Sequence, residues 1–260
     1  MSQAAPLPIP AESAASEARR TSASARRAAV LDEHKRSFLR MASHELRTPL
    51  NSILGFSEII SAELYGPLGA PQYKEYADII RASGQRLLKL VNQILEIARL
   101  EGHVTDLDLQ PESLDNALDD VLDGLKEEIA VRRARVEASG RGALPLVVAD
   151  PRGLRTVLAN LIQNAVGFSP EGSTVRLSVT VQGADVEIAV ADDGPGVDPL
   201  DLPRLMRPFE QGESALTRRS EGAGLGLPIC DLLCQAMGGR LRLQSAPGQG
   251  FTARVRLAVG

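Results

Sequence analysis

Residues 38–50 of the chain read Phe38-Leu39-Arg40-Met41-Ala42-Ser43-His44-Glu45-Leu46-Arg47-Thr48-Pro49-Leu50. Apolar residues recur here and beyond at alternating spacings of four and three, with two serines in the series. The series is Leu39, Ser43, Leu46, Leu50, Ile53, Ser57, Ile60 and Leu64. This period predicts a helix that packs along one seam. Pro49 cannot donate a helical hydrogen bond, so we expect the helix to bend just past His44.

His44 lies one residue off the predicted seam, which should leave its ring on the flank of a bundle, where a partner can reach it. The simpler interpretation is an ordinary surface histidine beside a tolerated kink, and single motifs of this kind often fail. The remaining residues of the chain must decide between the two interpretations.

The composition favours a helical or mixed fold without aromatic packing. The 260 residues are 43% apolar but only 3% aromatic, with no tryptophan, so the core must consist of Leu, Ile, Val and Ala. One or two domains are expected from this length. The net charge of −4 provides no basic field for nucleic acid or anionic lipid, so we expect neither as a partner.

The sequence also indicates where the chain resides. It contains no apolar run near the ~20 residues that a membrane span needs. Residues 1–10 lack the charged start and apolar core of a signal peptide, so we expect a cytoplasmic protein. Cys230 and Cys234, four residues apart in a helical pattern, are interpreted as small apolar residues.

Three regions follow from the pattern. Residues 1–29, rich in Ala, Ser, Pro and Arg, are predicted to be disordered or a frayed helix. Residues 30–102 predict two helices joined by the breaker cluster Tyr65–Pro71. The seam of the second helix is Tyr76, Ile80, Ser83, Leu87, Leu90, Ile94 and Ile97. One such hairpin has too little core, so two copies should pair into a four-helix bundle and the chain should be a homodimer.

Residues 103–260 predict an α/β sandwich, with helices on one side of a mixed sheet. Its predicted strands are Val104–Gln110, Leu144–Ala149, Thr174–Gln182, Asp185–Ala191, Arg240–Ser245 and Gly250–Leu257. Its predicted helices are Ser113–Arg133, one capped by Asp150 that ends near Phe168, and Leu225–Met237. The polar segment Asp192–Gly222 is predicted to be a lid or binding loop.

Three polar clusters in this region fit one chemistry. Asn160 and Asn164 lie at i and i+4 on one helix face, and the second and third clusters are Asp192–Val197 and Gly222–Leu227. Glycines let the backbone approach phosphates, and a helix N-terminus offers free N–H groups to an anion. A carboxylate after a strand can accept from an adenine amino group, and an amide oxygen suits Mg²⁺. Taken singly, each cluster has a structural alternative: a helix cap or surface amide for the asparagine, a tight turn for the glycines.

Taken together, these segments resemble a known family. Ser43–Leu50 looks like the phosphoacceptor box of two-component sensor histidine kinases. The three polar clusters, with their order, spacing and long intervening loop, resemble the ATP-binding domain shared by histidine kinases, gyrase-type enzymes and heat-shock chaperone ATPases. The resemblance covers about residues 31–260.

The resemblance implies a role for each matching residue. His44 would take the γ-phosphoryl group of ATP, Glu45 would accept its proton, and Glu45 with Thr48 would support dephosphorylation of a response regulator. Asn164 would hold Mg²⁺ and Asp192 would bind adenine. The other positions that match the ATP site are Asn160, Gly194, Gly196, Phe209, Gly222, Gly224, Leu225 and Gly226.

One position departs from the family pattern. Members often carry a basic residue three places after the second asparagine, where this chain has Gly167, and Arg218 or Arg219 in the loop is the expected substitute. Two alternatives to an active kinase therefore remain. The first is a phosphotransfer or phosphatase scaffold that binds ATP weakly, and the second is an ATP-driven clamp, which would leave the His44 box unexplained. Input should reach the chain through an upstream sensor partner or residues 1–37.

Overall fold

The structure is a computed structural model, and it describes residues 46–101, 107–210 and 223–260. It contains a helical hairpin followed by an α/β domain, which is the predicted fold class. The predicted division of the chain at residues 29–30 and 102–103 falls on residues outside the described ranges, and it stays a prediction.

The hairpin consists of α1, helical over residues 46–61, and α2, Pro71–Glu101. Polar contacts tie the two helices at both ends: Arg47 donates to Asn92 Oδ1 at 3.1 Å, and Ser61 donates to Asp78 Oδ1 at 2.5 Å. The helix remains regular through Pro49, and the predicted bend past His44 stays a prediction.

Most of the predicted seam is exposed in the single chain. Leu50 and Ser57 are buried between the helices, but many other seam residues are not. The seam residues with 41–67% of their surface exposed are Leu46, Ile53, Ile60, Leu64, Tyr76, Ile80, Leu87 and Ile94. A contiguous apolar surface of this kind marks a protein–protein interface more often than a solvated face.

The α/β domain has five helices and seven strands in its described part. The helices are α3 (Leu114–Gly124), α4 (Lys126–Val131), α5 (Pro151–Phe168), α6 (Leu202–Leu205) and α7 (Gly226–Ala236). The strands are β1 (Gln110–Ser113), β2 (Arg135–Ala138), β3 (Leu146–Ala149), β4 (Thr174–Gln182), β5 (Asp185–Asp192), β6 (Arg240–Ser245) and β7 (Phe251–Ala258).

The main sheet has the order β2-β4-β5-β7-β6, with β2 parallel to β4 and the other pairs antiparallel. A second sheet pairs β1 with β3. Alternate residues of the long strands point into the core: Val186, Ile188 and Val190 of β5 are each at most 2% exposed. They pack beneath α5 and α7, whose apolar faces complete the core.

Local sequence signals fix the central helix α5. The Asp150 carboxylate accepts from the backbone N–H of Gly153 at 2.7 Å, and Pro151 occupies the first turn. The helix ends at Phe168, as predicted. The apolar stripe that includes Leu154, Leu158 and Ile162 is fully buried, so α5 is held by both its cap and its core face.

Three predicted elements need correction. Residues 107–109 are not a strand, and β1 begins only at Gln110; residues 102–106 lie outside the described ranges. The single helix predicted for Ser113–Arg133 is two, because Leu125 leaves the helical region with φ −100° and ψ 3°. The strand β2 was missed. Its four residues are half-exposed and polar, and they become a strand through parallel pairing with β4.

The hairpin contacts the α/β domain directly. Ile97 and Leu100 of α2 are at most 7% exposed and belong to the same buried cluster as α5 and α7. Farther along α2, Lys89 Nζ donates to Gln163 Oε1 at 3.2 Å. Gln163 in turn donates to Glu128 Oε2 at 2.7 Å, so a chain of polar contacts links α2, α5 and α4.

The two cysteines are part of the core, as the sequence predicted. Both are free and fully buried on α7. Burial raises the pKa of Cys234 to about 12, so it is a thiol at neutral pH. Within the part of the chain that the structure describes, no helix has the length and apolarity needed to cross a membrane.

Candidate nucleotide site

Asp192 lies at the end of β5 and is 7% exposed. One oxygen, Oδ1, accepts from the backbone N–H of Gly194 at 2.8 Å and from that of Phe251 at 3.3 Å. These two contacts fix the carboxylate and direct its hydrogen-bonding demand to Oδ1. The second oxygen is left to accept from a donor outside the protein, as an amino group would provide.

Burial changes the acidity of this carboxyl group. Loss of solvation raises the pKa of Asp192 to about 6, and the neighbouring Asp193 adds to the rise, while the two backbone donors and Arg176 lower it. Asp193 itself faces Arg176, which donates to both carboxylate oxygens at 2.5 and 3.1 Å and lowers the pKa of Asp193. Two adjacent carboxylates therefore have different roles: one is paired, and the other is buried facing the site.

The turn after Asp192 is locked to the β6–β7 turn. Gly196 has φ +68°, and a Cβ atom there would overlap the carbonyl oxygen of Ala246. The Ser245 hydroxyl accepts from Val197 N–H at 2.8 Å and donates to the Gly250 carbonyl at 2.6 Å. The glycines thus permit a close approach between two backbone segments, and this approach sets the position of Asp192.

The asparagine face of α5 meets the start of α7. A Cβ atom on Gly226 would lie 3.3 Å from Asn160 Oδ1 and 3.6 Å from Asn164 Nδ2. Asn160 also donates to the Thr156 carbonyl at 3.0 Å, which orients its amide along the helix. The predicted asparagine and second glycine clusters are therefore in contact, although 62–66 residues separate them in the sequence.

The N-terminus of α7 is open. Within the described residues, its N-cap Leu225 makes no side-chain hydrogen bond to the first turn. The first backbone N–H groups of this helix and its partial positive charge are therefore available to an anion. The Leu225 side chain is fully buried, so any contribution of this residue to binding comes from its backbone.

Gly224 joins this helix end to the segment before residue 211. It has φ +70°, and a Cβ atom there would lie 2.7 Å from the Glu210 carbonyl oxygen. Phe209 adopts φ +66° and is 61% exposed. A non-glycine residue in this conformation is uncommon and costs free energy, which is typical of functional segments.

The structure thus brings together most of the predicted nucleotide residues. Asn160, Asn164 and Gly226 are in contact, and Gly194 joins this group, because a Cβ on it would lie 3.1 Å from the Phe168 carbonyl at the end of α5. Five predicted positions lie outside the described residues: His44, Glu45, Arg218, Arg219 and Gly222. Thr48 lies exposed on α1.

Sequence reasoning missed the β6–β7 contribution to the site. Ser245, Gly250 and Phe251 hold the Asp192 loop by hydrogen bonds or close packing across 48–59 residues of sequence. The one available signal was local: the Pro-Gly-Gln-Gly turn at 247–250 carries two glycines, which indicates a turn but not what it contacts.

Two family models match the chain. The His Kinase A (phospho-acceptor) domain matches residues 34–103, and the histidine kinase-, DNA gyrase B- and HSP90-like ATPase matches residues 149–260. These are the two parts of a histidine kinase core, in the order that the fold shows. The chain belongs to the sensor histidine kinases of two-component systems and is a protein-histidine kinase by family.

Curated relatives carry the same identification. From Caulobacter vibrioides, the histidine protein kinase DivJ is 40% identical over 231 residues, and the non-motile and phage-resistance protein is 38% identical over 235. The cell-division control histidine kinase PdhS of Brucella suis is 35% identical over 230 residues. The matches cover 85–86% of this chain but only 37%, 27% and 22% of those three proteins.

Solved structures agree on the architecture. The crystal structure of full-length ShkA in complex with AMPPNP has a TM-score of 0.72 at 33% identity, covering 86% of this chain and 46% of that one. The Acinetobacter baumannii histidine kinase AdeS has a TM-score of 0.58 at 20% identity and covers 84% of this chain and 98% of its own, which shows the shared fold.

Proposed function

We propose that the chain binds Mg-ATP in the α/β domain and transfers the γ-phosphoryl group to His44. The observation that carries the proposal is the convergence of Asp192, the asparagine face of α5 and the open N-terminus of α7 on one side of the domain. The resemblance of Ser43–Leu50 to a phosphoacceptor box supplies the acceptor.

Each group in the site suits one part of the nucleotide. The outer oxygen of Asp192 accepts from the adenine amino group, and the surrounding burial makes that single contact selective. The phosphates lie at Gly224 and Gly226, where the absence of side chains permits close approach and the α7 N-terminus faces the charge. The structure described here accommodates both ends of the nucleotide without displacing a core side chain.

Asn164 is the residue that would hold Mg²⁺. Its half-buried amide lies beside Gly226, at the phosphate end of the site. No group of three or more His, Cys, Asp or Glu side chains in the described residues could hold a metal, so the ion would share its ligands with the phosphates and water, as Mg²⁺ often does. When bound, the ion neutralises charge on the phosphate oxygens.

Transfer at His44 needs a neutral imidazole. One ring nitrogen attacks the γ-phosphorus, an N–P bond forms, and the bond from phosphorus to the bridging oxygen breaks to release ADP. The other nitrogen gives its proton to the adjacent Glu45 carboxylate, which leaves a neutral ring in the product. The phosphoryl group then passes to an aspartate of a response regulator.

The reverse reaction belongs to the same surface. Glu45 and Thr48 lie three residues apart, on one face of a helix, and Thr48 is exposed on α1. Both carry groups able to orient water against the phosphoaspartate of a docked regulator. We therefore propose phosphatase activity as well, with the hairpin as the regulator's docking surface.

Homodimerisation completes the proposal. The apolar residues left exposed on α1 and α2 follow the predicted seam, and a second hairpin would bury them in a four-helix bundle. The signal that controls the kinase enters through an upstream partner or through residues 1–37.

The test is incubation with Mg²⁺ and γ-labelled ATP. Wild type should take up acid-labile, alkali-stable label, and His44→Ala and Asn164→Ala should take up none. His34→Ala is the matched control, because it removes a nearby histidine with no assigned role, and it should label like wild type. Binding of fluorescent ATP analogues should survive in His44→Ala.

The outcomes separate the alternatives. A wild type that binds ATP but takes up no label would exclude the kinase assignment and favour the phosphotransfer or phosphatase scaffold. Label that persists in His44→Ala would place the acceptor elsewhere. Removal of phosphate from a phosphorylated regulator, lost in Thr48→Ala but retained in Asn164→Ala, would support phosphatase activity at the hairpin.

A further inference from the structure

We propose that Arg132 supplies the cation that faces the terminal phosphates, from outside the helix that carries the asparagines. The inference rests on the proposed ATP site and adds a binding residue to it. It also answers the question raised by Gly167, for which the sequence offered only Arg218 and Arg219.

The asparagine face of α5 ends in an empty position. Asn160, Asn164 and Gly167 lie at i, i+4 and i+7, which places them in one stripe along the helix. A Cβ atom on Gly167 would have no atom within 4 Å. The stripe therefore ends in open space, one turn beyond the residue proposed to bind Mg²⁺.

Arg132 brings a guanidinium group to this position. Its Nη2 donates to the Gly167 carbonyl oxygen, across 35 residues of sequence. The backbone of Arg132 is fixed, because its N–H donates to Glu128 at 3.1 Å and its carbonyl accepts from Gly172 at 3.0 Å. The arginine thus reaches the end of the stripe from an anchored backbone.

The charge of Arg132 is directed differently from that of its neighbour. Arg133 forms an ion pair with Glu171 at 3.3 Å, with both side chains more than half exposed. Arg132 is half-buried, and its contact is to a neutral carbonyl. A guanidinium has five N–H donors in a planar fork, so donation to one carbonyl leaves donors for a phosphate.

The simpler role is a helix cap. A cation at a helix C-terminus satisfies free carbonyls and interacts favourably with the dipole, and Gly167 lies in the last turn of α5. Both roles are compatible, because the bond to the carbonyl holds the arginine where a phosphate would meet it. They predict different results for nucleotides that differ in phosphate number.

The test measures the affinities of full-length Arg132→Ala for ATP, ADP and adenosine by calorimetry. Loss of a phosphate contact should weaken ATP binding by about tenfold, and adenosine binding by less than about twofold. Arg133→Ala is the matched control: it removes a neighbouring arginine with a carboxylate partner, and it should bind all three ligands like wild type.

A rescue variant separates binding from folding. In Arg132→Ala with Gly167→Lys, an ammonium enters the open space beside Gly167, and we expect most of the lost ATP affinity to return. A cap role alone predicts that Arg132→Ala lowers the melting temperature and changes the binding of all three ligands equally or not at all. Either of those results, or failure of the rescue, would overturn the inference.

The same titrations distinguish this inference from the proposed function. Wild type that binds ATP, with Arg132→Ala binding it equally well, refutes the role of Arg132 alone. Wild type that binds neither ATP nor ADP refutes both the nucleotide site and the role of Arg132.

Discussion

The helical hairpin and the α/β domain solve the problem of a hydrophobic core in opposite ways. The α/β domain buries its large apolar residues within the single chain, and Leu154, Leu158 and Ile188 have no exposed surface. The hairpin instead leaves residues such as Phe56 and Leu64 two-thirds exposed. The comparison teaches that the domain is complete as a monomer, whereas the hairpin is half of a structure whose other half is a second copy.

The largest expected effect concerns the incomplete region. Ile80 lies on the seam of α2 and is 49% exposed, so Ile80→Asp places a charge in the proposed dimer interface. We expect the dissociation constant of the dimer to rise by at least about a hundredfold, measured by analytical ultracentrifugation. Val181→Asp is the control: it is 56% exposed but lies on β4, and it should leave the dimer intact. A dimer that survives Ile80→Asp would show that the seam is not the interface.

The next prediction concerns the close backbone approach in the complete region. Gly196→Ala combines a positive φ with overlap of the Ala246 carbonyl, and should lower the free energy of unfolding by about 3 kcal/mol and abolish ATP binding. Gly248→Ala shares the positive φ but meets no atom within 4 Å, and should cost only about 1 kcal/mol. Chemical denaturation measures both. Equal costs would show that close packing of the Asp192 loop does not hold the site.

Asp192→Asn should separate stability from function. The amide keeps the contacts from Gly194 and Phe251 and removes a buried charge, so the folded state should gain about 2 kcal/mol at pH 7.5 while ATP binding is lost. In wild type the folded state holds the Asp192 proton more tightly than the unfolded chain, because its pKa is about 6 rather than 3.8. The stabilising contribution of this proton is therefore complete below pH 3.8 and is lost as the pH rises through about 6.

The pH dependence supplies a second measurement on the same residue. ATP affinity of wild type should fall below about pH 6, because protonation of the outer oxygen removes the adenine acceptor. The unfolding free energy of Asp192→Asn should vary less between pH 4 and 6 than that of wild type. A wild-type ATP affinity that is constant across pH 5–8 would show that Asp192 does not bind the base.

The smallest effect concerns the contact between the two regions. Lys89→Ala removes the hydrogen bond to Gln163 from an exposed position on α2. Because such contacts are worth little in water, the free energy of unfolding should change by less than about 1 kcal/mol. Leu100→Ala, at the buried part of the same interface, should cost about 2–4 kcal/mol by calorimetry. The reverse order would mean that polar contacts, rather than apolar burial, join the regions.

What the sequence could predict depended on whether the signal was local. The bounds of α5 were predicted correctly, because Asp150, Pro151 and the apolar stripe lie within the helix or next to it. The strand β2 was missed because its four residues become a strand only through β4, and the break at Leu125 has no glycine or proline to mark it. Similarly, the sequence identified Asp192 but not Ser245, whose contact crosses 48 residues.

The same reasoning explains the outcome at the site. Glycine clusters and paired asparagines are local patterns that carry chemical information, so they could be named before the fold was known. Arg132 could not, because its contact with Gly167 depends on how α4 packs against the end of α5. Sequence patterns identify the residues that a ligand needs, and packing decides which other residues lie beside them.

The most direct test of the account is the mass of one tryptic peptide. Cleavage after Arg40 and Arg47 releases Met41–Arg47, which contains both His44 and Ser43. After incubation with Mg-ATP, the account predicts that this peptide carries one phosphoryl group, which is lost in acid and retained in alkali. An unmodified peptide, or an acid-stable phosphate on Ser43, would contradict the transfer of phosphate from the α/β domain to the hairpin histidine.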